Sequence, residues 1–536
     1  MSRIRAAAQV LSLLIVTALS VSAANAQPNA FIPRPNDPNG AGGLFGRLGG
    51  QQNGLFNGAG QGQQNQGNGF PGGAANADFD SLIDLIISTV ASDSWVENGG
   101  PEAEIRPFPG GVWVDAAGLL REYEERGEVK LTSLEVPNVP DKVESANPRE
   151  SAKLRCVSLP RLEAAIYFAL RDGKPLDESM LVLAGLKRVE YVFIYPEIGD
   201  VVLAGPAGDW RLDAEHRLVS TDDGTPVVRL DDLLTLLRRE RSADNKAFGC
   251  SITPRQDNLA ATQDYLQQSA AKPLPPGRRA REKWLEEIRK TMGRQDIEVF
   301  GLDPGTHAAH VLVKADHHMK RVGIGLEDGV PGVDSYLDTV VREKQGEQPL
   351  SVLRWWFSAN YNGIARNSEG TGYELVGQGV EVLSENEMLT KRGERVHTGK
   401  ADEATQQFAH QFTSEFGKLA QKYPVYGELR NLFDLAIVAA MLDAQDLYAT
   451  AGWQPVLFLN DEHLPLPNYF APREVDTIAN HRVVKKTKIL AAVSGGVWVD
   501  SHGVLAKHTT PSEKLDYHRN QAPPELAAGE WWWDLE

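Results

Sequence analysis

Apolar positions along this chain recur at helical spacing in some stretches and alternate in others. From residue 78, "DFDSLIDLIISTVASDSW" sets Leu82, Ile83, Leu85, Ile86, Ile87 and Val90 on one broad helical face, with Asp78 and Asp80 at its positive N-terminal end. "SLPRLEAAIYFALRDGKP" predicts a helix that Pro160 opens, in the first turn where proline is tolerated, and that Gly173 closes. "RLDDLLTLLRR" (229–239), "NLAATQDYLQQSA", "REKWLEEIRKTMG" (281–293) and "VDSYLDTVVRE" read as further helices. The clearest helical stretch is 401–447, where Phe408, Phe412, Phe416 and Leu419 keep the period until Pro424 breaks it. "ELRNLFDLAIVAAMLDAQ" then supplies a second apolar helix, so this stretch predicts a helical hairpin.

Other segments alternate, or run apolar over strand lengths. "RVEYVFIYPEIGDVVLAGPAGDW" reads as two strands around a turn at 196–200, and "AFGCSIT" as a buried strand. "IEVFGLD" and "HVLVKADHHMKRVGIGL" read as further strands, while "LRWWFSANY" and "GYELVGQGVEVLSEN" predict a β-rich patch. One phrase is written twice, "GGVWVD" at 110–115 and again at 495–500. In each copy two valines alternate with a tryptophan, then an aspartate and a glycine follow. That pattern predicts a short hairpin or turn corner with a half-buried ring, Trp113 or Trp498. The alternative is a paired ligand site built on Asp115 and Asp500, or on the two tryptophans. Two copies fall short of a solenoid, which needs at least three.

Short strands joined by tight turns, with helices between them, predict an α+β fold with mainly antiparallel sheets, divided into two or three domains. The expected divisions are a small helix–hairpin module over 78–125, α+β domains over 150–275 and 276–400 (the second β-rich), a helical hairpin over 401–455, and a C-terminal segment over 456–536.

The first residues change the picture by placing the protein. Arg3 and Arg5, an apolar core over 10–19 and the small-residue site Ala24-Asn25-Ala26 read as a secretory signal peptide. A retained anchor is the alternative, but the run is shorter than the roughly 20 residues a span needs. The mature chain is expected to have no membrane span and to be periplasmic, envelope-associated or secreted. Residues 27–77 are dominated by Gly, Gln and Asn and read as a disordered linker. Removing residues 1–26 takes away two arginines and no acid, leaving 55 − 2 = 53 cations against 72 acids, a net charge of −19. With no basic block, such a chain is not expected to bind nucleic acid. Export would permit a disulfide between the two cysteines, Cys156 and Cys250, closing a 94-residue loop. Such a bond would stabilise the fold by about 4 to 5 kcal/mol. The alternative is two buried thiols acting as small hydrophobes.

"LAGLKRVEYVFIYPEIGDVVLAGPAGDW", "RLDDLLTLLR", "KADHHMKRVGIGLE", "RWWF" and "ELVGQGVEVLSENE" occur in that order. With them the chain resembles the bacterial domain-of-unknown-function 1598 family of large exported proteins, over most of residues 152–505. The stretch "DFDSLIDLIISTVASDSW" followed by a Gly pair is similar to a short module found before various exported domains. The resemblance implies no activity, cofactor or catalytic residue.

Candidate chemistry is thin. "THAAHVLVKADHHMK" gathers His307, His310, Asp316, His317 and His318, types that bind zinc or a similar cation. On a strand, His307 and His310 face opposite ways, as do His317 and His318, so no metal is assigned. Asp461, Glu462 and His463 adjoin in sequence, which does not make them converge in space. The aromatic candidates for contact are Trp355 and Trp356 beside Arg354 and Tyr361, and the terminal run Trp531, Trp532 and Trp533. Phosphate-loop, nucleophile-elbow, HExxH and kinase motifs do not occur. No cofactor is expected. The reading is an exported binding or scaffold protein of the cell envelope, with an envelope protein or polysaccharide as partner. The alternative is an envelope hydrolase with an unrecognised site.

Overall fold

The computed structural model describes residues 104–108, 111–115, 123–124 and 147–535, apart from 243–246, 271–276, 344–349, 390–394, 470, 485–486, 522, 524–525 and 528. The signal peptide, the linker and the helix expected from residue 78 lie outside the described residues.

The fold is α+β, with mostly antiparallel sheets. An eight-stranded sheet runs in the order Arg395–His397, Gly379–Leu389, Leu350–Asn360, Thr487–Val499, Phe248–Pro254, Arg294–Phe300 and Glu474–Asp476, with Ala479–Val484 also paired to Thr487–Val499. It therefore draws strands from the expected segments 150–275, 276–400 and 456–536 alike. One neighbouring pair is parallel, Leu350–Asn360 beside Thr487–Val499. A seven-stranded sheet runs in the order His508–Thr509, Gly363–Arg366, Gly372–Val376, Tyr191–Tyr195, Asp200–Ala207, Ala152–Ser158 and Trp532–Leu535.

Helices lie between the sheets, and one core joins all three layers. The longest, Pro424–Ala444, is buried on nearly every side, as its apolar composition dictates. Pro424 opens it, where the sequence placed a break. Its buried Asp434 pins both sheets: Arg188 Nε donates to the carboxylate at 2.8 Å and Tyr361 OH at 2.5 Å. Glu163, on the helix Leu159–Arg171, makes a second pin. It accepts from Trp453 Nε1 and the Leu457 amide at 2.7 Å, and from the Phe458 amide at 2.9 Å. Among the described residues no helix is long and apolar enough to cross a membrane.

Three expectations are corrected. The segment read as a strand from His307 is the helix His307–Gly323. The run Val311-Leu312-Val313 suggested β structure, but Leu312, Ala315, Met319 and Val322 keep helical spacing toward the core. Thr306 caps the helix, accepting from the Ala309 amide at 3.2 Å.

The second "GGVWVD" is a turn corner and not a hairpin. It ends the 13-residue strand Thr487–Val499, and Asp500 then caps the short helix Ser501–Leu505, accepting from the Gly503 amide at 2.9 Å. Its glycines answer to neighbouring backbone. A Cβ on Gly495 would lie 1.7 Å from the Trp355 carbonyl oxygen, and one on Gly496 1.9 Å from that of Cys250. The first copy, Gly111–Asp115, does form a hairpin, with the preceding strand Glu104–Phe108. The residues that follow this copy, 116–122, lie outside the described residues.

The disulfide is not formed. Cys156 and Cys250 are free and buried, on strands of different sheets. Burial pushes both thiols well above their ordinary range, so they behave as small hydrophobes.

Candidate functional site

Successive residues of a strand face opposite ways, and this sorts the aromatic candidates. Trp355 is fully buried on the inner face of the eight-stranded sheet. Its indole N–H donates to the Thr405 carbonyl at 3.2 Å, and its ring centroid lies 4.5 Å from that of Phe408. Trp355 is therefore a core residue and no contact site. Trp356 points to the outer face and stays half-buried, with the Arg354 guanidinium 4.5 Å above its ring.

The terminal tryptophans dock on their own chain. Trp532–Leu535 adds an edge strand to Ala152–Ser158, and the Ser158 amide donates to the Trp531 carbonyl at 2.8 Å. All three rings are buried. Arg155, fully buried, is held between the Trp532 face at 4.4 Å and the Asp534 carboxylate at 2.7 Å. Trp531, Trp532 and Trp533 are thus unavailable as a partner-binding tag.

The outer face of the eight-stranded sheet is covered at one end and open at the other. At the covered end the helices Gln256–Ala270 and Arg278–Met292 lay Leu266, Trp284, Ile288 and Met292 on Ala479 and Ala492. Toward the open end the register sets two rows across five strands. One row reads Leu383, Trp356, Gly496, Ser251, Glu298, and the next Glu381, Ser358, Trp498, Gly249, Phe300. Cross-strand partners share a face. The rows thus make a strip of aromatic and aliphatic side chains around two bare glycines. Trp498 is 49% exposed and Leu383 37%. The Trp498 and Phe300 ring centroids lie 5.5 Å apart, tilted by 42°. Burial pushes the Glu381 carboxyl above its ordinary range, and Lys507 opposes that rise.

A second place holds charged groups. His307 Nδ1 lies 2.9 Å from Asp232 Oδ2, and its Nε2 lies 3.8 Å from Glu428 Oε1. The Tyr469 ring meets it edge-on at 5.3 Å. All three titratable groups are buried, and they join the helices Leu230–Ser242, His307–Gly323 and Pro424–Ala444. Beside them, at Thr306, lies a cleft of about 430 Å³ walled by Thr235, Leu302, Asp303, Pro465 and Leu466. Its Arg238 is committed to the walls: the guanidinium donates to the Phe458 carbonyl at 2.7 Å and the Leu464 carbonyl at 2.8 Å, and pairs with Asp461 at 3.0 Å.

Being helical, the histidine segment brings His307 and His310 to neighbouring positions one turn apart, which the strand reading denied. Farther along the helix His317 is buried and His318 half-buried. Burial, with Arg321 and Lys320 nearby, pulls His317 down to about 3. Burial also pulls His318 down to about 4, against the opposing charge of Glu327. His318 Nδ1 lies 2.7 Å from Tyr426 OH. Asp316 and Lys320 form a fully buried pair at 2.6 Å, where burial raises the acid and lowers the base. Among the described residues no cluster of three or more His, Cys, Asp or Glu side chains is placed to hold a metal ion. Asp461 turns to Arg238, while the amides of Glu462 and His463 donate to Asn460, so that trio is brought to no common point.

The strip was partly visible in the sequence, through Trp356 and the half-buried ring expected at Trp498. Phe300, Leu383 and Glu298 were missed, because their membership depends on strand order rather than on local pattern.

Residues 250–336 match the family model described as "Protein of unknown function (DUF1598)". The matched segment runs from the strand Phe248–Pro254 through the outer helix pair and the helix His307–Gly323. No curated protein matches. No solved structure matches.

Proposed function

We propose, from the match of residues 250–336 to the family model DUF1598, that this chain is an exported, non-catalytic binding or scaffold protein of the cell envelope. Its partner, an envelope protein or polysaccharide, meets the open end of the eight-stranded sheet's outer face. The observation that carries the reading is Trp498, a large ring 49% exposed on a regular strand, beside Phe300 and flanked by bare glycines. Sheets that face solvent usually alternate apolar-in with polar-out, so an open aromatic strip marks a contact surface.

The test is capture from envelope extracts with the mature chain and its Trp498→Ala variant. A partner retained by the wild type and lost by the variant supports the reading; equal capture by both refutes it. Export has its own readout. The envelope fraction should yield a chain beginning at Gln27, and an unprocessed chain confined to the cell interior defeats that half of the proposal.

The hydrolase reading keeps one observation, the histidine held by Asp232 beside the cleft. It requires that envelope peptide or polysaccharide be cleaved by the wild type and left intact by His307→Gln.

A further inference from the structure

We propose that the outer-face strip binds an extended cationic peptide segment of a partner protein, with a partner cation held over the Trp498 ring. The proposal rests on the contact-surface reading above and narrows it to one ligand class. Charge selects that class. The strip carries Glu298 on one flank and Glu381 on the other. Among the described residues Glu298 is exposed and forms no ion pair, and the charged neighbour of Glu381 is Lys507. The positive group on the strip, Arg354, is already committed to Glu385 at 3.0 Å and to the Trp356 face. The Glu298 carboxylate and the exposed Trp498 ring thus remain for a ligand, with the Glu381 carboxyl beside Lys507 at the other flank. An indole face attracts a cation through its quadrupole, and the carboxylates attract it through charge. The whole chain, at −17, draws cations and repels anions.

Geometry sets the spacing. Glu381 and Glu298 stand four strand intervals and one row apart, which is about 20 Å at ordinary sheet dimensions. An extended peptide covers that distance in about six residues. Gly496 puts no side chain of its own between Trp356 and Ser251 in its row, while the Phe300 ring leans over Gly249 beside Trp498. A neutral glycan would stack on the same rings but would gain little from the carboxylates.

The experiment uses the mature chain and fluorescence anisotropy with three labelled probes. The first is a glycine–serine peptide carrying two arginines about six residues apart. The second is the same peptide with glutamates, and the third a neutral glucan hexasaccharide. The arginine peptide should bind, and the glutamate peptide should not. Trp498→Ala and the double variant Glu298→Gln/Glu381→Gln should each weaken binding about tenfold, with unchanged thermal unfolding. Raising salt from about 50 to about 500 mM should weaken it further. Binding of the arginine peptide that survives the double Gln variant unchanged overturns the proposal. If only the hexasaccharide binds, and Trp498→Ala abolishes that, the ligand class is wrong and the contact surface stands. If no probe and no envelope partner depends on Trp498, both fall.

Discussion

The two faces of the eight-stranded sheet are built by the same strands and do opposite work. Trp355 and Trp356 are neighbours in the chain. The first is sealed against Phe408 and the second lies under Arg354 at the surface. Val497 and Trp498 repeat the contrast, with the valine in the core and the larger ring outside. Ring size therefore says nothing about burial here; position parity along the strand decides. The inner face tolerates little change because it is close-packed. The outer face has room, and a protein that leaves an indole in that room has not used it for stability.

The sharpest break of this contrast is at the seam. Gly495→Val would drive side-chain atoms into the backbone of Leu350–Asn360, because even a Cβ lies 1.7 Å from the Trp355 oxygen. We expect a loss above about 5 kcal/mol, seen as the absence of a cooperative melt by circular dichroism. Next comes Asp316→Asn, which leaves Lys320 buried without its countercharge and should cost about 3 to 5 kcal/mol in urea unfolding. The double change Asp316→Leu/Lys320→Met should recover most of that. Trp355→Ala should cost about 3 to 5 kcal/mol, against under about 1 kcal/mol for Trp356→Ala. Comparable losses for the two would dissolve the distinction between faces.

The pH dependence sharpens the inner side alone. His317 and His318, held down to about 3 and about 4, stay neutral in the fold, while the unfolded chain takes up protons below about 6.5. Their contribution is complete above the unfolded value and is lost as the pH falls from there toward 4, at up to about 1.4 kcal/mol per pH unit for each group. Urea midpoints measured from pH 7 down to 4 check this, and His317→Phe should flatten the slope. The smallest stability effect belongs to Trp498→Ala, within about 0.5 kcal/mol, and there the readout is binding.

Much of the secondary structure was legible because most elements carry a clean period, as in Phe408, Phe412 and Phe416 or in the strand around Phe193. The helix His307–Gly323 was misread because Val311 and Val313 flank Leu312 like a strand, and its cap, Thr306, was overlooked. What local pattern cannot carry is strand order. Parity shows that Trp355 and Trp356 diverge, but which one meets the core depends on the helix Glu403–Ser414 that packs there. The same limit hid the terminal tryptophans, whose partner strand lies hundreds of residues upstream. Of the strip, the sequence offered Trp356 and Trp498; Phe300 joined them only through its pairing with Gly249.

The edge strand Trp532–Leu535 has a consequence for when this protein folds. Arg155 reaches its countercharge only at Asp534, 379 residues later in the chain. At ordinary synthesis rates that is a delay of roughly 20 to 75 s. Until then the seven-stranded sheet lacks its last strand and an arginine waits with an unmatched charge. The sheet that opens near the start of the described fold is thus sealed only by its last strand, once nearly the whole chain has been made.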